Sequence, residues 1–481
     1  MPISERAPGP IPPPSPTSAV PHPAHRRPRW TPSPHVLAPR LLAVALFAVY
    51  ATDSVLRYYR METRSWDLGI FEQAVRAYAH FKAPVVDLKG PGTNILGDHF
   101  SPVTALLAPA YRLFPTPVTL LVAQAALFAL AALPVTRAAT RLLGRASGLA
   151  VGVAYGLSWG IQQAVDFDFH EICFAVPLIA FSLEALLGRR WRAALLWALP
   201  LTLVKEDLGL TLAAIALVVA WRARQEAPQI RWYAVGVAAL GVLATLVTVT
   251  VVIPAFNGSG GYDYWTKVEG GPSPFAGADT KIRTLAWLLL PTSGLFALRS
   301  PLLLAGAPTL GWRFLSGEEN YWSTDWHYNA VLMPVVFLAL VDAVDISRHS
   351  QRTWLRAYAE RLPTCAVVAA LALTTAQPLS ALTESGTYHK PERAAAAEKL
   401  LAQIPDGATV EANVGPLSRL TGRCRVLWVG DSRGVTTDWI ALDNGSGWVN
   451  HPLGYARELH PEDRYRIAGQ AGGYILMERV R

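Results

Sequence analysis

The sequence predicts an all-α polytopic membrane domain with a small α/β domain at its C-terminal end. Three observations predict it. Hydrophobic residues make up 52% of the 481 and charged residues only 16%, against roughly 25% charged in soluble proteins. Apolar runs near bilayer length recur from Leu41 to Ala381. Beyond Leu382 the chain turns polar, mixed in charge and rich in Gly and Asp turns.

Residues 1–36 come first. Twelve prolines fall within residues 1–35, with no periodic apolar pattern. Such a stretch buries no core and reads as a disordered cytoplasmic tail. It lacks the apolar run and small-residue site of a cleaved signal, so the run from Leu41 reads as an uncleaved anchor.

The membrane domain, 37–382, carries eleven expected spans. They lie at about 41–57, 117–136, 148–164, 171–188, 191–204, 208–221, 232–253, 284–298, 301–315, 329–345 and 363–381. The apolar stretch 101–114 is short and proline-bounded, which suits a re-entrant or interfacial segment. The pair 191–204 and 208–221 is short for a bilayer of roughly 30 Å. One long helix would leave Lys205-Glu206-Asp207 at the midplane, at high cost. A hairpin with those residues at a wet tip avoids that cost.

Arginine placement sets the expected orientation. With the N-terminus in the cytoplasm, the inner loops collect Arg137, Arg141, Arg145, Arg189, Arg190, Arg192 and the arginines of 222–231 and 348–361. The outer loops collect acids and histidines. This is the positive-inside pattern, and it places the C-terminus outside the cell membrane. The net charge of +8 therefore predicts a bilayer partner and not a nucleic acid. The three cysteines, Cys173, Cys365 and Cys424, form no disulfide framework, zinc finger or redox pair.

In residues 383–481, a helix is expected at 391–404 and strands at 408–414, 423–429, 438–443 and 473–480. This is the extracytoplasmic α/β domain.

The polar residues of the outer face are the functional candidates. Asp67 opens a helical pattern of Phe71, Ala74, Val75, Tyr78 and Phe81, expected along the membrane surface. It reads either as a cap or as a functional carboxylate in a tight turn with Trp66 and Gly69. Asp98-His99 reads as an N-cap with an interfacial imidazole, or as part of a site. Asp166, Asp168, His170 and Glu171 alternate with Phe167 and Phe169. They form either a solvated acidic loop or a partly buried group, in which Asp166 and Asp168 could hold a divalent cation. Lys205 suits an anionic phosphate; with Glu206 and Asp207 it otherwise makes a self-neutralised turn. His327 is a belt residue or a site residue. Tyr262, Tyr264, Trp265, Trp322 and Trp326 read as an aromatic belt or a sugar-stacking platform.

These motifs carry a resemblance. Asp67-Leu68-Gly69-Ile70-Phe71, Gly97-Asp98-His99-Phe100-Ser101-Pro102, Leu113-Phe114-Pro115, Asp168-Phe169-His170 and Lys205-Glu206-Asp207 resemble a family of bacterial polytopic membrane proteins of unknown function. The likeness runs over about residues 41–480. Glu171 departs from it, standing where a proline is expected. The family in turn resembles the GT-C superfamily of glycosyltransferases, which transfer sugars from polyprenyl-phosphate donors. Asp67 stands at the place of that superfamily's first acid but has no acidic neighbour.

The resemblance implies an outer-face transferase. Asp67 would be the general base. Lys205, with His99, His170 or a metal, would stabilise the leaving phosphate. Asp98, Asp168, Glu206 and His327 would complete substrate binding. No glycine-rich phosphate loop follows a strand, which excludes a nucleotide donor of that type. A transporter or lipid flippase is the rival, and a non-catalytic envelope scaffold is a third reading.

Overall fold

The computed structural model describes Gly9, residues 34–267 and residues 275–480. The expected tail at 1–36 lies outside the described residues, apart from Gly9 and the start of the first helix. The helices of the first part are α1 (Pro34–Tyr59), α2 (Asp67–Ala79), α3 (Ala108–Leu113), α4 (Pro117–Leu143), α5 (Arg145–Gly156), α6 (Trp159–Asp166) and α7 (Ala175–Leu187). Then follow α8 (Trp191–Ala198), α9 (Leu208–Ala223), α10 (Pro228–Val247), α11 (Ile253–Phe256), α12 (Ala278–Ser293), α13 (Ala307–Leu315), α14 (Leu332–Ser347) and α15 (Thr353–Thr374).

Among the described residues, four helical stretches are long and apolar enough to cross a membrane: Leu37–Tyr59, Pro117–Leu143, Pro228–Phe256 and His327–Ser347. The other expected spans are shorter, broken or more polar. Thus 148–164 divides into α5 and α6, and 191–204 ends in a 3-10 turn, Leu199–Leu203. Length and apolarity support four spans and do not establish the count of eleven.

The expected hairpin is present. α8 and its 3-10 turn lead to Lys205, Glu206 and Asp207, and α9 returns. α9 then packs on α10 through two glycines. A Cβ on Gly209 would meet the Gly241 carbonyl oxygen at 2.4 Å, and a Cβ on Gly241 would meet that of Gly209 equally closely. The π turn Thr248–Val252 joins α10 to α11.

The polar ends of this bundle differ. Arg137, Arg141 and Arg190 gather on buried Glu184. On α4, Arg137 lies thirteen residues beyond Gln124, roughly 20 Å along the helix at 1.5 Å per residue. Gln124 itself bonds to the turn before α7. The arginine cluster is thus remote from the loops that carry the candidate residues.

The C-terminal part holds α16 (Glu392–Leu401), β1 (Thr409–Ala412), α17 (Val414–Leu420), β2 (Arg425–Trp428), β3 (Trp439–Asp443), α18 (Pro452–Leu459), β4 (Arg464–Ala471) and β5 (Tyr474–Val480). The sheet order is β2-β1-β3-β5-β4, with β2, β1 and β3 parallel and β5 and β4 antiparallel. Gly472 and Gly473 turn the β4–β5 hairpin with φ of 57° and 79°, the conformation that a tight two-residue turn needs. β4, α17 and α18 lay outside the sequence expectation. β4 is a charged edge strand whose solvent exposure blurs the alternation.

α2 is more deeply placed than a surface helix. Leu68, Phe71 and Val75 join the core of the membrane helices, while Ile70 and Ala74 join the core of the sheet. Its apolar positions serve two cores at once. Gly69 permits this, because a Cβ there would come within 2.5 Å of Leu417 and 2.9 Å of Leu88.

Candidate functional site

A cavity of about 480 Å³ opens where α2, the hairpin tip, the π turn of α10 and the start of α14 converge. Its polar lining includes Asp67, His99, His170, Lys205, Lys267 and His327.

Asp67 is the first residue of α2. Its N–H donates to Ser65 Oγ at 3.1 Å, while among the described residues its carboxylate accepts no hydrogen bond and forms no ion pair. Capping therefore does not occupy it. Burial raises its pKa above the ordinary carboxylate value; nearby His170 opposes that shift and Glu171 adds to it. A carboxylate made more basic in this way suits proton abstraction near neutral pH.

His170 follows a sharp turn. Asp168 sits at φ 72°, a conformation that L side chains seldom adopt. Gln124 of α4 holds the turn, donating to the Ala164 carbonyl at 3.2 Å and accepting from His170 N–H at 3.0 Å. His170 Nδ1 lies 2.7 Å from Glu171 Oε2, and Lys205 Nζ lies 3.3 Å from Glu171 Oε1. Burial acts most strongly on Glu171 and would raise its pKa. His170 and Lys205 outweigh it and hold the carboxyl well below the usual range. Lys205 shows the reciprocal effect. Burial would discharge it, yet the carboxylates of Glu171, Glu206 and Asp207 keep it protonated, above a free lysine.

His327 stacks on His170, with ring centroids 3.6 Å apart and planes 22° off parallel. It is 3% exposed, and among the described residues neither ring nitrogen has a hydrogen-bond partner. Trp326 before it has φ 66°. Arg313 of α13, fully buried, fixes this loop by donating to the carbonyls of Tyr321 at 2.8 Å and Ser323 at 3.0 Å and to Asn329 Oδ1 at 3.0 Å. Asp67, His170 and His327 each bring one ligand-type atom within 4.8 Å of the others.

The remaining expected residues organise the rim. Glu206 takes His99 Nδ1 at 2.8 Å, Phe100 N–H at 3.2 Å and the Tyr262 hydroxyl at 3.1 Å. Asp98 pairs with Lys89 at 3.0 Å and accepts from the Tyr264 hydroxyl at 3.4 Å. Burial would raise the Asp98 pKa, but His99 and Lys89 bring it below its ordinary value.

Asp166 and Asp168 lie outside the cavity, so the expected cation pair is not assembled there. Asp166 pairs with Arg57 at 2.8 Å and Arg64 at 3.1 Å. Asp168 accepts the backbone N–H of Arg64 at 2.8 Å and of Ser65 at 3.3 Å. Two carboxylates committed to guanidinium and amide groups have little left for a metal.

Sequence reasoning names Glu171 in the candidate loop but gives it no role in the site, although it replaces an expected proline; Gln124, Arg313 and Lys267 it passes over. Lys267 donates to the Tyr321 hydroxyl at 3.1 Å and sits over the rings of Tyr264 and Tyr321. Among the described residues it has no carboxylate partner.

Comparison with other proteins gives a family and a fold. Residues 57–476 match the family described as "Predicted membrane protein (DUF2079)". The chain belongs to that family. No curated protein matches it. Among solved structures, it is similar to ArnT from Cupriavidus metallidurans bound to undecaprenyl phosphate, with a TM-score of 0.56 at 14% identity over 91% of this chain and 97% of that one. The apo state of the same ArnT gives a TM-score of 0.52 at 13% identity, over 90% and 97%. At this identity the likeness is one of fold alone: the chain shares the overall architecture of ArnT.

Proposed function

We propose that this protein is a GT-C-type glycosyltransferase that moves a sugar from a polyprenyl-phosphate donor to an envelope acceptor at the outer face of the membrane. The observation that carries the reading is the joining, in one cavity, of an unpaired carboxylate at Asp67 with the cations Lys205 and Lys267. The ArnT structure with undecaprenyl phosphate supports the donor class.

In this reading an acceptor hydroxyl attacks the anomeric carbon. Asp67 takes the hydroxyl proton. The bond from that carbon to the phosphate oxygen breaks, and the lipid phosphate departs with the electron pair. Its growing negative charge faces Lys267 and Lys205. Lys205 is already shared with Glu171, so Lys267 has more charge to give. Glu206 and Asp98 hold His99, Tyr262 and Tyr264 as the wall against which the sugar lies.

The test incubates purified protein in lipid nanodiscs with polyprenyl-phosphate sugars, comparing wild type with Asp67→Asn. The expected result is transfer by wild type and its loss in the variant. No transfer with any donor, or equal transfer by both proteins, overturns the reading. Transport of lipid or ions that responds to Lys205→Ala, without sugar transfer, replaces it with a flippase or transporter.

A further inference from the structure

We propose that Asp67, His170 and His327 form a three-ligand site for one divalent transition-metal ion of the Mn²⁺ or Zn²⁺ class. The site is independent of which sugar the protein transfers.

His327 is the starting point. A buried imidazole with neither ring nitrogen bonded among the described residues leaves polar atoms unsatisfied, at roughly 1–3 kcal/mol for such a group. Packing does not explain why a histidine stands there, since an apolar ring would fill the same space between Phe167, His170 and Tyr328 without that cost. A metal ion bonded to one nitrogen removes the deficit.

His170 has the second-sphere arrangement that metal-binding imidazoles use. Its Nδ1 rests 2.7 Å from the buried Glu171 carboxylate, a much closer contact than the 3.5 Å approach of the Ile172 N–H to the same nitrogen. A proton held on Nδ1 leaves the lone pair of Nε2 for a metal. Two stacked rings 3.6 Å apart are compatible with neutral imidazoles, the ligating form, whereas two imidazolium rings would repel. Asp67 completes the set with a carboxylate that, among the described residues, bonds to nothing else.

The dimensions fit. Ligand atoms bound at roughly 2.0–2.2 Å lie at most about 4.4 Å apart. The present limit of 4.8 Å closes by small side-chain rotations. Both histidines also lie within two residues of a non-glycine residue at positive φ, Asp168 before His170 and Trp326 before His327. Such conformations cost about 1–3 kcal/mol each and persist where the surroundings impose them.

Ligand chemistry selects the ion. Calcium and magnesium take oxygen ligands. Two imidazoles and one carboxylate suit the transition metals and zinc. Three protein ligands leave coordination positions open toward the cavity. The ion would give the site a net positive charge, because Asp67 offsets only one of its two charges and Glu171 offsets Lys205. A phosphate oxygen or an acceptor hydroxyl is the natural occupant. A hydroxyl bound there loses its proton more readily, so a metal-bound Asp67 still serves as base through its second oxygen.

The experiment strips the purified full-length protein with a chelator and titrates it with Mn²⁺, reading free Mn²⁺ by electron paramagnetic resonance; Zn²⁺ is then added as competitor. One Mn²⁺ bound per chain and displaced by Zn²⁺ is expected. His327→Ala and Asp67→Asn should each weaken binding by at least about tenfold, and Glu171→Gln by about 10–100-fold through the second sphere. Circular dichroism and size exclusion monitor folding, with His170→Gln in reserve should His327→Ala misfold. No binding of either ion at about 10⁻³ M, or binding unchanged in both Asp67→Asn and His327→Ala, overturns the site. The readout needs no sugar. A bound ion without transfer upholds the site and counts against the transferase, and transfer by a protein that binds no ion does the reverse.

Discussion

Two acidic groups lie within six residues of each other and have opposite fates. Asp166 and Asp168 face Arg57, Arg64 and backbone amides. Glu171 faces His170 and Lys205, beside Asp67 and His327, which are unpaired among the described residues. In the first group every charge is answered by a structural partner, so it holds α1 to the end of α6. In the second the polar atoms exceed their partners, and the excess opens on a cavity. Function is sought where polar groups are retained without being used up in holding the fold.

Asp67→Asn should lower transfer by about 10²–10⁴-fold, the usual range for a positioned acid or base. Its unfolding midpoint should stay near wild type, because no structural partner is lost. If the variant loses stability and keeps its activity, Asp67 belongs with the first group.

Asp166→Ala should do the converse. It leaves Arg57, itself 7% exposed, without its carboxylate. Breaking a buried pair in this way costs roughly 3–5 kcal/mol. Denaturation in detergent would measure it, and any activity of the surviving folded fraction should be near normal. A stability change under about 1 kcal/mol would mean that the pair is effectively solvated.

Glu72 supplies a third kind of acid. It is fully buried in α2, and its carboxyl is bonded by the Tyr111 hydroxyl at 2.8 Å and by the Thr421 hydroxyl. Burial pushes its pKa up to about 7; the Thr421 and Tyr111 hydrogen bonds and Arg76 pull the other way. The folded value exceeds the unfolded one, so protonation favours the folded state. The contribution is fully present below about pH 4.5 and is lost as pH rises through about 7. It amounts to about 3 kcal/mol at most, at roughly 1.4 kcal/mol per pH unit. Melting curves from pH 5 to pH 8 should show wild type losing stability relative to Glu72→Gln. Parallel curves would place Glu72 in contact with water.

Much of this arrangement is legible in the sequence, and the boundary of legibility is physical. Apolar runs located the four long spans, though not a count of eleven, and the Lys205-Glu206-Asp207 interruption located the hairpin tip, because burial in lipid constrains composition locally. Four of the five strands showed the same way. What the sequence could not tell is which acids are spent. Arg57 and Asp166 are 109 residues apart, and Gln124 reaches His170 across 46. No local spacing encodes such pairings. Arg313 falls inside the expected span 301–315, and nothing nearby in sequence shows the carbonyls that surround it. α2 looked like a surface helix because its second apolar partner, the sheet, begins more than 300 residues later.

Spent and unspent charges also stand side by side within the cavity. Lys205 and Lys267 both line it, but Lys205 already faces Glu171 at 3.3 Å, whereas Lys267 meets only tyrosines among the described residues. A cation with an internal partner gains less from an arriving anion. Lys267→Gln should therefore raise KM for the lipid-phosphate donor by about tenfold, or 1.4 kcal/mol, with little change in stability. Lys205→Gln should act mainly through the fold, since it strands the buried Glu171 carboxylate. Donor titration and melting of the two variants separate these effects. Equal KM changes at unchanged stability would place both lysines on the phosphate and return Lys205 to the group of unspent charges.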